Sequence, residues 1–182
     1  MRVLVVDGHA TPSAVVEAAE ATLRTGGHDP TVLRLADEGF DRYMSEAERR
    51  AYHEPDNLIS LEQRRSAELL RRSEALLVIS ALRAGTIDPT VKSWFERVFI
   101  PEVSFTFTAS GRITGALKQI RRVGMIVECP DRQREPHRRN GSTRSVLRSI
   151  RLNSARTCRS TYCTLVAGED PRAAVAAALS RW

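Results

Sequence analysis

The sequence predicts a doubly wound α/β domain. Three observations carry that expectation: short apolar runs with the form of buried strands, capped helical patterns between them, and a strand–helix alternation that repeats five times. With 182 residues, 42% hydrophobic and 27% charged, the chain is expected to form a single domain spanning residues 1–182. A chain of this length buries about two-thirds of its unfolded surface, which excludes disordered and fibrous classes.

Residues 3–7 are apolar up to Asp7 and stop at Gly8, as a buried parallel strand does. Residues 12–25 read as a helix ending at Gly26-Gly27, and residues 31–35 as a second short strand. The polar stretch 38–57 contains Phe40, Tyr43, Met44 and Tyr52 and reads as a long excursion with one helical turn near residues 45–52. Ser60-x-x-Gln63 has the form of a capping box, opening a helix through about Arg72, and residues 75–79 follow as a central strand. Asp88-Pro89 supplies an N-cap and a proline at the first helical position. Val91, Trp94, Phe95, Val98 and Phe99 then repeat with helical spacing, the clearest helix in the chain. Residues 103–107 alternate like an extended segment, residues 123–127 form another buried strand, and an arginine-rich loop, 130–141, leads to a helix near 143–155. A strand at 162–166 and a helix capped by Asp170-Pro171 close the sequence.

The net charge of +6 is unevenly placed. Residues 1–100 carry 13 basic and 16 acidic side chains, residues 101–182 carry 15 and 6, and residues 132–159 hold nine arginines against Glu135. Such a segment reads either as a solvated face or as a site for an acidic partner, with Arg132, Arg134, Arg138 and Arg139 as the partner-binding candidates. Nucleic acid is not expected, because aromatics do not interleave with the arginines. Cys129, Cys158 and Cys163 lack metal-ligand or disulfide spacing, so no metal site is expected and a reducing cytoplasm fits. The longest apolar run is far short of the roughly 20 residues that span a bilayer, and the chain opens directly into a strand, so neither a membrane span nor a leader is expected.

In open parallel sheets, ligands bind beyond the carboxyl ends of the strands, which selects the loops 8–13, 80–88 and 128–141. Gly8, His9, Thr11 and Ser13 precede a helix, so their backbone N–H groups and hydroxyls suit a phosphate, although Thr11 and Ser13 also suit helix caps. Neither a G-x-G-x-x-G nor a G-x-x-x-x-G-K-[ST] motif is present.

Several segments resemble the NAD(P)H:quinone oxidoreductase family, a branch of the flavodoxin-like fold. They are the opening Val6-Asp7-Gly8-His9, residues 38–52, the helix at 91–99, and Phe105-x-Phe107 followed by Gly111 and residues 115–118. The resemblance covers residues 2–127. It implies a flavodoxin-like, doubly wound, five-stranded parallel sheet of order 2-1-3-4-5 with helices on both faces. It also implies a homodimer, and FMN or FAD with NAD(P)H if the family activity is kept.

The departures fall in all three flavin loops. The phosphate loop is about four residues shorter than the family's, with Ala10 in place of its proline. Where the family places Pro-Leu-Trp-Trp against the flavin ring, this chain has Ala81-Leu82-Arg83-Ala84, followed by Gly85. Glu128-Cys129-Pro130 replaces a Thr-Thr-Gly-Gly type of turn, removing an N–H at Pro130 and adding an acid. The expectation is therefore an enzyme without a cofactor, since side chains alone cannot store a hydride. Cys129 is the candidate nucleophile, with Glu128 or His9 as its proton partner. Addition of the thiolate to a conjugated alkene and its elimination would give cis–trans isomerisation of a small-molecule or carrier-protein-bound substrate, with Arg83, Gly85, Thr11 and Ser13 as substrate-binding candidates. The alternatives are a flavin-dependent NAD(P)H:quinone oxidoreductase and a non-catalytic dimeric binding module.

Overall fold

The structure, a computed structural model, describes residues 1–40, 43–83, 85–130 and 141–182. The chain begins with β1 (Arg2–Asp7), α1 (Ala14–Thr25), β2 (Asp29–Arg34), α2 (Glu46–Ala51), α3 (Leu61–Arg72), β3 (Ala75–Arg83), β4 (Thr86–Ile87) and α4 (Pro89–Val98). It continues with β5 (Phe105–Phe107), β6 (Ile113–Gly115), β7 (Arg122–Cys129), α5 (Ser142–Asn153), β8 (Arg159–Val166) and α6 (Arg172–Leu179). The main sheet runs β2-β1-β3-β7-β8 with every neighbour parallel, the order that the resemblance implied.

Strand alternation divides the core in two. Leu4 and Val6 of β1 and Leu76 and Val78 of β3 face Leu70 of α3, Trp94 and Val98 of α4, and Ile150 of α5. Val3, Val5, Leu77 and Ile79 face Val15, Ala19 and Leu23 of α1 and Val175 and Leu179 of α6. In β7 the same alternation sends Val127 and Cys129 to the α3–α4–α5 side and Ile126 to the α1–α6 side.

Where sequence and structure differ, long-range pairing is the reason. β3 continues past Ile79 to Arg83 because the chain turns back through Gly85 (φ 77°) and β4 pairs antiparallel with Leu82 and Arg83. β8 starts at the polar Arg159 because it pairs with Arg122 at the start of β7. The extended segment near 103–107 is one arm of a two-stranded hairpin with β6. The 38–57 excursion is pinned to the body by Arg97 of α4. Its Nε donates to Glu48 Oε1 (2.7 Å), its Nη2 to Glu62 Oε1 (2.6 Å) and its Nη1 to the Gly39 carbonyl (3.3 Å). The guanidinium also lies 4.9 Å from the centroid of the Phe40 ring.

Trp94 is fully buried, and its indole N–H finds no protein acceptor. Trp94→Phe removes that orphaned donor while keeping most of the ring. Equilibrium urea unfolding should therefore show a loss of only about 1–2 kcal/mol, below the roughly 3–5 kcal/mol typical of truncating a buried tryptophan to alanine. A loss as large as the alanine figure would show that the indole ring edge, and not the ring area, holds this part of the core.

Candidate functional site

The site follows from strand register. Asp7 ends β1 opposite Ile79, and Ala81, two residues further along β3, lies opposite Glu128 of β7. His9, two residues past Asp7, crosses the end of β3 and bridges the two carboxylates. Its Nδ1 lies 2.8 Å from Asp7 Oδ1 and its Nε2 3.0 Å from Glu128 Oε2, while its backbone N–H also donates to Asp7 Oδ1 (2.9 Å). The side chains of Asp7, His9 and Glu128 are 0%, 11% and 20% exposed. Asp7 Oδ2 has no protein donor, so the imidazole is the side chain that compensates the buried acid.

Burial alone would push the His9 imidazole down. Its hydrogen bonds to Asp7 and Glu128, together with their negative charge, outweigh that effect and raise its pKa to about 9. At neutral pH His9 is thus an imidazolium that donates through both ring nitrogens. It holds two carboxylates together and is not a free base.

Glu128 reaches a cleft of about 910 Å³ between α1 and α6. Ala14, Val15, Ala18, Ala21 and Ala176 give this cleft an apolar wall, and Glu17, Asp170 and Arg172 also line it. The chemistry on offer is proton transfer at a carboxylate beside an apolar space, a few ångströms from a fixed positive charge.

Of the residues expected from sequence, the structure brings His9 and Glu128 together and separates Cys129 from them. Consecutive residues of a strand point to opposite faces, so Cys129 is fully buried in the α3–α4–α5 core while Glu128 faces the cleft. A thiol in that position does not reach the cleft, which corrects its expected role as nucleophile. Cys158 is likewise buried, and burial pushes its thiol up. Arg83, a substrate-binding candidate from sequence, is engaged within its own turn. Its Nε pairs with Asp88 Oδ2 at 2.6 Å, and Asp88 in turn caps α4 through Thr90 N–H. Gly85 serves the reversal into β4, and Ser13 Oγ accepts from Val15 N–H as the N-cap of α1. Thr11 is exposed. Arg132, Arg134, Arg138 and Arg139 lie outside the described residues. Sequence reading missed Asp7. The signal was available in the Asp-x-His spacing at a strand end, which lets one carboxylate accept from both the backbone and the ring of the histidine.

The described residues of the three loops lack several contacts that the resemblance implies for a flavin. In the first loop the His9 ring is held between the Asp7 and Glu128 carboxylates, so its N–H groups are not free for a phosphate. A Cβ on Gly8 would lie 2.1 Å from Val91 Cγ2, so this glycine lets the first turn of α4 pack against the end of β1. The β3–β4 turn offers no aromatic surface at Ala81, Leu82 or Arg83, and Pro130 lacks a donor at the third loop.

Comparison with curated proteins gives no match. Solved structures give several. The NAD(P)H:quinone oxidoreductase from Methanothermobacter marburgensis is 18% identical, with a TM-score of 0.77, over 97% of this chain and 94% of that one. Smu.1420 from Streptococcus mutans is 16% identical, with a TM-score of 0.72, over 97% and 95%. An FMN-dependent NADH-azoreductase from Bacillus anthracis, solved with FMN, is 15% identical, with a TM-score of 0.68, over 99% and 98%. Likeness at these identities concerns the fold, and it extends over nearly the whole chain. The family profile described as a flavodoxin-like fold matches residues 1–182, and together with the strand order it makes the chain a member of that family.

Proposed function

We propose that this protein is a cofactor-free enzyme that moves a proton on a conjugated substrate and thereby isomerises a carbon–carbon double bond, with Glu128 as its catalytic residue. The observation that carries this reading is the Asp7–His9–Glu128 hydrogen-bonded chain opening on the apolar cleft between α1 and α6. Removal of a proton from the carbon beside a conjugated enone or enoyl thioester sends the electron pair to the carbonyl oxygen. The former double bond becomes single and rotates, and return of the proton completes the reaction with no net redox change. Glu128 takes and returns the proton. His9 and Asp7 are positioning residues: the imidazolium holds the Glu128 side chain through a hydrogen bond from Nε2, and Asp7 fixes the ring. A single domain spanning residues 1–182, acting in the cytoplasm as a homodimer on a small-molecule or carrier-protein-bound substrate, completes the reading.

A second reading, a flavin-dependent NAD(P)H reductase of quinones or azo compounds, is favoured by the fold likeness to proteins with those activities. The purified protein separates the two. The first reading expects a colourless protein, no saturable binding of FMN or FAD, and deuterium uptake from heavy water at the carbon beside a conjugated enoyl thioester. Glu128→Gln should slow that uptake by about 10²–10⁴-fold, the range of general acid–base contributions, and Cys129→Ala should leave it intact. Stoichiometric flavin together with NAD(P)H-dependent quinone reduction would establish the second.

A further inference from the structure

The outer face of α5 is not explained by the fold or by the cleft. Leu147 and Ile150 bury one side of this helix, while Arg144, Arg148 and Arg151 stand exposed on the other, and the helix contains no acidic residue. At 1.5 Å per residue these arginines span about 10 Å. Two shallow clefts meet on them. One, of about 420 Å³, is lined by Lys118, Arg148, Arg151, Leu152 and Arg156, and the other, of about 370 Å³, by Arg144, Leu147, Arg148, Arg151 and Ser160. Among the described residues no carboxylate lines either cleft and none forms an ion pair with these five cations. Leu152, 73% exposed, stands in their midst.

We propose that this face is a docking surface for an acidic helix of a partner protein that presents an apolar side chain to Leu152. Charge complementarity supplies the first part of the argument: five cations lining two adjoining clefts attract carboxylates and steer their approach. Leu152 supplies the second. It shares one cleft with Lys118, Arg148, Arg151 and Arg156, which offers an apolar contact beside a charged rim. A nucleic acid is the poorer fit, because the aromatic ring here, Tyr162, is already covered by the Arg144 guanidinium at 4.0 Å and offers no face for stacking. The surface lies across the sheet from the Glu128 cleft, so the inference stands independently of the reaction proposed there.

The test is fluorescence anisotropy on the full chain with a labelled alanine-based helical peptide carrying glutamates around one leucine. Its controls are the same peptide with lysines for glutamates and a single-stranded oligonucleotide of similar length. The glutamate peptide is expected to bind at least about tenfold more tightly than the lysine peptide, and its affinity should fall as ionic strength rises from about 0.05 M to about 0.5 M. R148E/R156E should lose at least about tenfold in affinity and L152D several-fold, while R50E, a charge reversal on α2, should lose nothing. If R148E/R156E does not melt as the wild type does, R148Q/R156Q takes its place. Equal binding of the two peptides, or full binding by the charge variant, would overturn the proposal. So would tighter binding of the oligonucleotide that is lost in the same variant, since that would assign the face to nucleic acid.

Discussion

Arg97→Ala lowers the unfolding free energy by about 3–5 kcal/mol, the expected cost of removing one partner from a buried ion pair. The side chains of Arg97 and Glu48 are only 5% and 3% exposed, so the truncation strands a carboxylate in the core. Glu48 then keeps only its capping bond, in which Ser45 N–H donates to Oε2, while Oε1 is left with its desolvation cost. The same truncation frees the Gly39 carbonyl and bares the Phe40 ring, so the 38–57 excursion should detach as a unit. Urea unfolding monitored by circular dichroism gives the free energy, and limited proteolysis should show new cleavage within the excursion. The double variant Arg97→Met, Glu48→Leu should recover part of the loss, because the buried Glu48 carboxylate goes with its partner and only Glu62 and the Gly39 carbonyl are left without Arg97. A double variant as unstable as Arg97→Ala would mean that the cost lies in the ring and carbonyl contacts and not in the stranded charge.

His9 gives the second large effect, and its sign follows from linkage. The folded-state pKa, about 9, stands above the ordinary 6.5, so the folded protein holds a proton that the unfolded chain releases earlier. The stabilisation is complete below pH about 6.5 and is lost as pH rises through about 9. The full effect is about 3–4 kcal/mol, and solvent screening of the partly exposed ring reduces it to about 2–3 kcal/mol. The stability gap between wild type and His9→Gln should therefore be widest near pH about 6 and narrow by that amount near pH about 10, because glutamine does not titrate. Taking the difference cancels the lysines, tyrosines and cysteines common to both proteins. A gap that stays constant across this window would show that folding leaves the His9 pKa unchanged, and the imidazolium bridge would have to be abandoned.

The parts of the fold that the sequence made legible are those decided locally. Helix α4 could be read because its N-cap, its proline and its apolar spacing lie within a dozen residues, and α3 because Ser60 and Gln63 cap each other three residues apart. The Arg97 anchor could not be read, since its partners Glu48 and Glu62 lie 49 and 35 residues away and nothing in their own neighbourhoods marks them as buried. The end of β3 was missed for a related reason, because a two-residue strand, Thr86–Ile87, exists only through its pairing. The candidate site was half legible. His9 and Glu128 were visible as chemistry at strand ends, yet their meeting depends on the stagger of three strands. The burial of Cys129 was within reach, because the alternation that starts at Val123 places residues 128 and 129 on opposite faces.

That alternation makes the pairing of Ala81 with Glu128 the switch that decides what the cleft contains. If β7 slid by one residue along β3, every side chain of the strand would change face. The carboxylate would enter the core and the thiol would look out towards α1 and α6. Acid–base and thiol chemistry are thus separated on this scaffold by one step of backbone register, with no substitution required. A single-residue insertion or deletion just before Arg122 then changes the side chains in the cleft as much as it changes the fold.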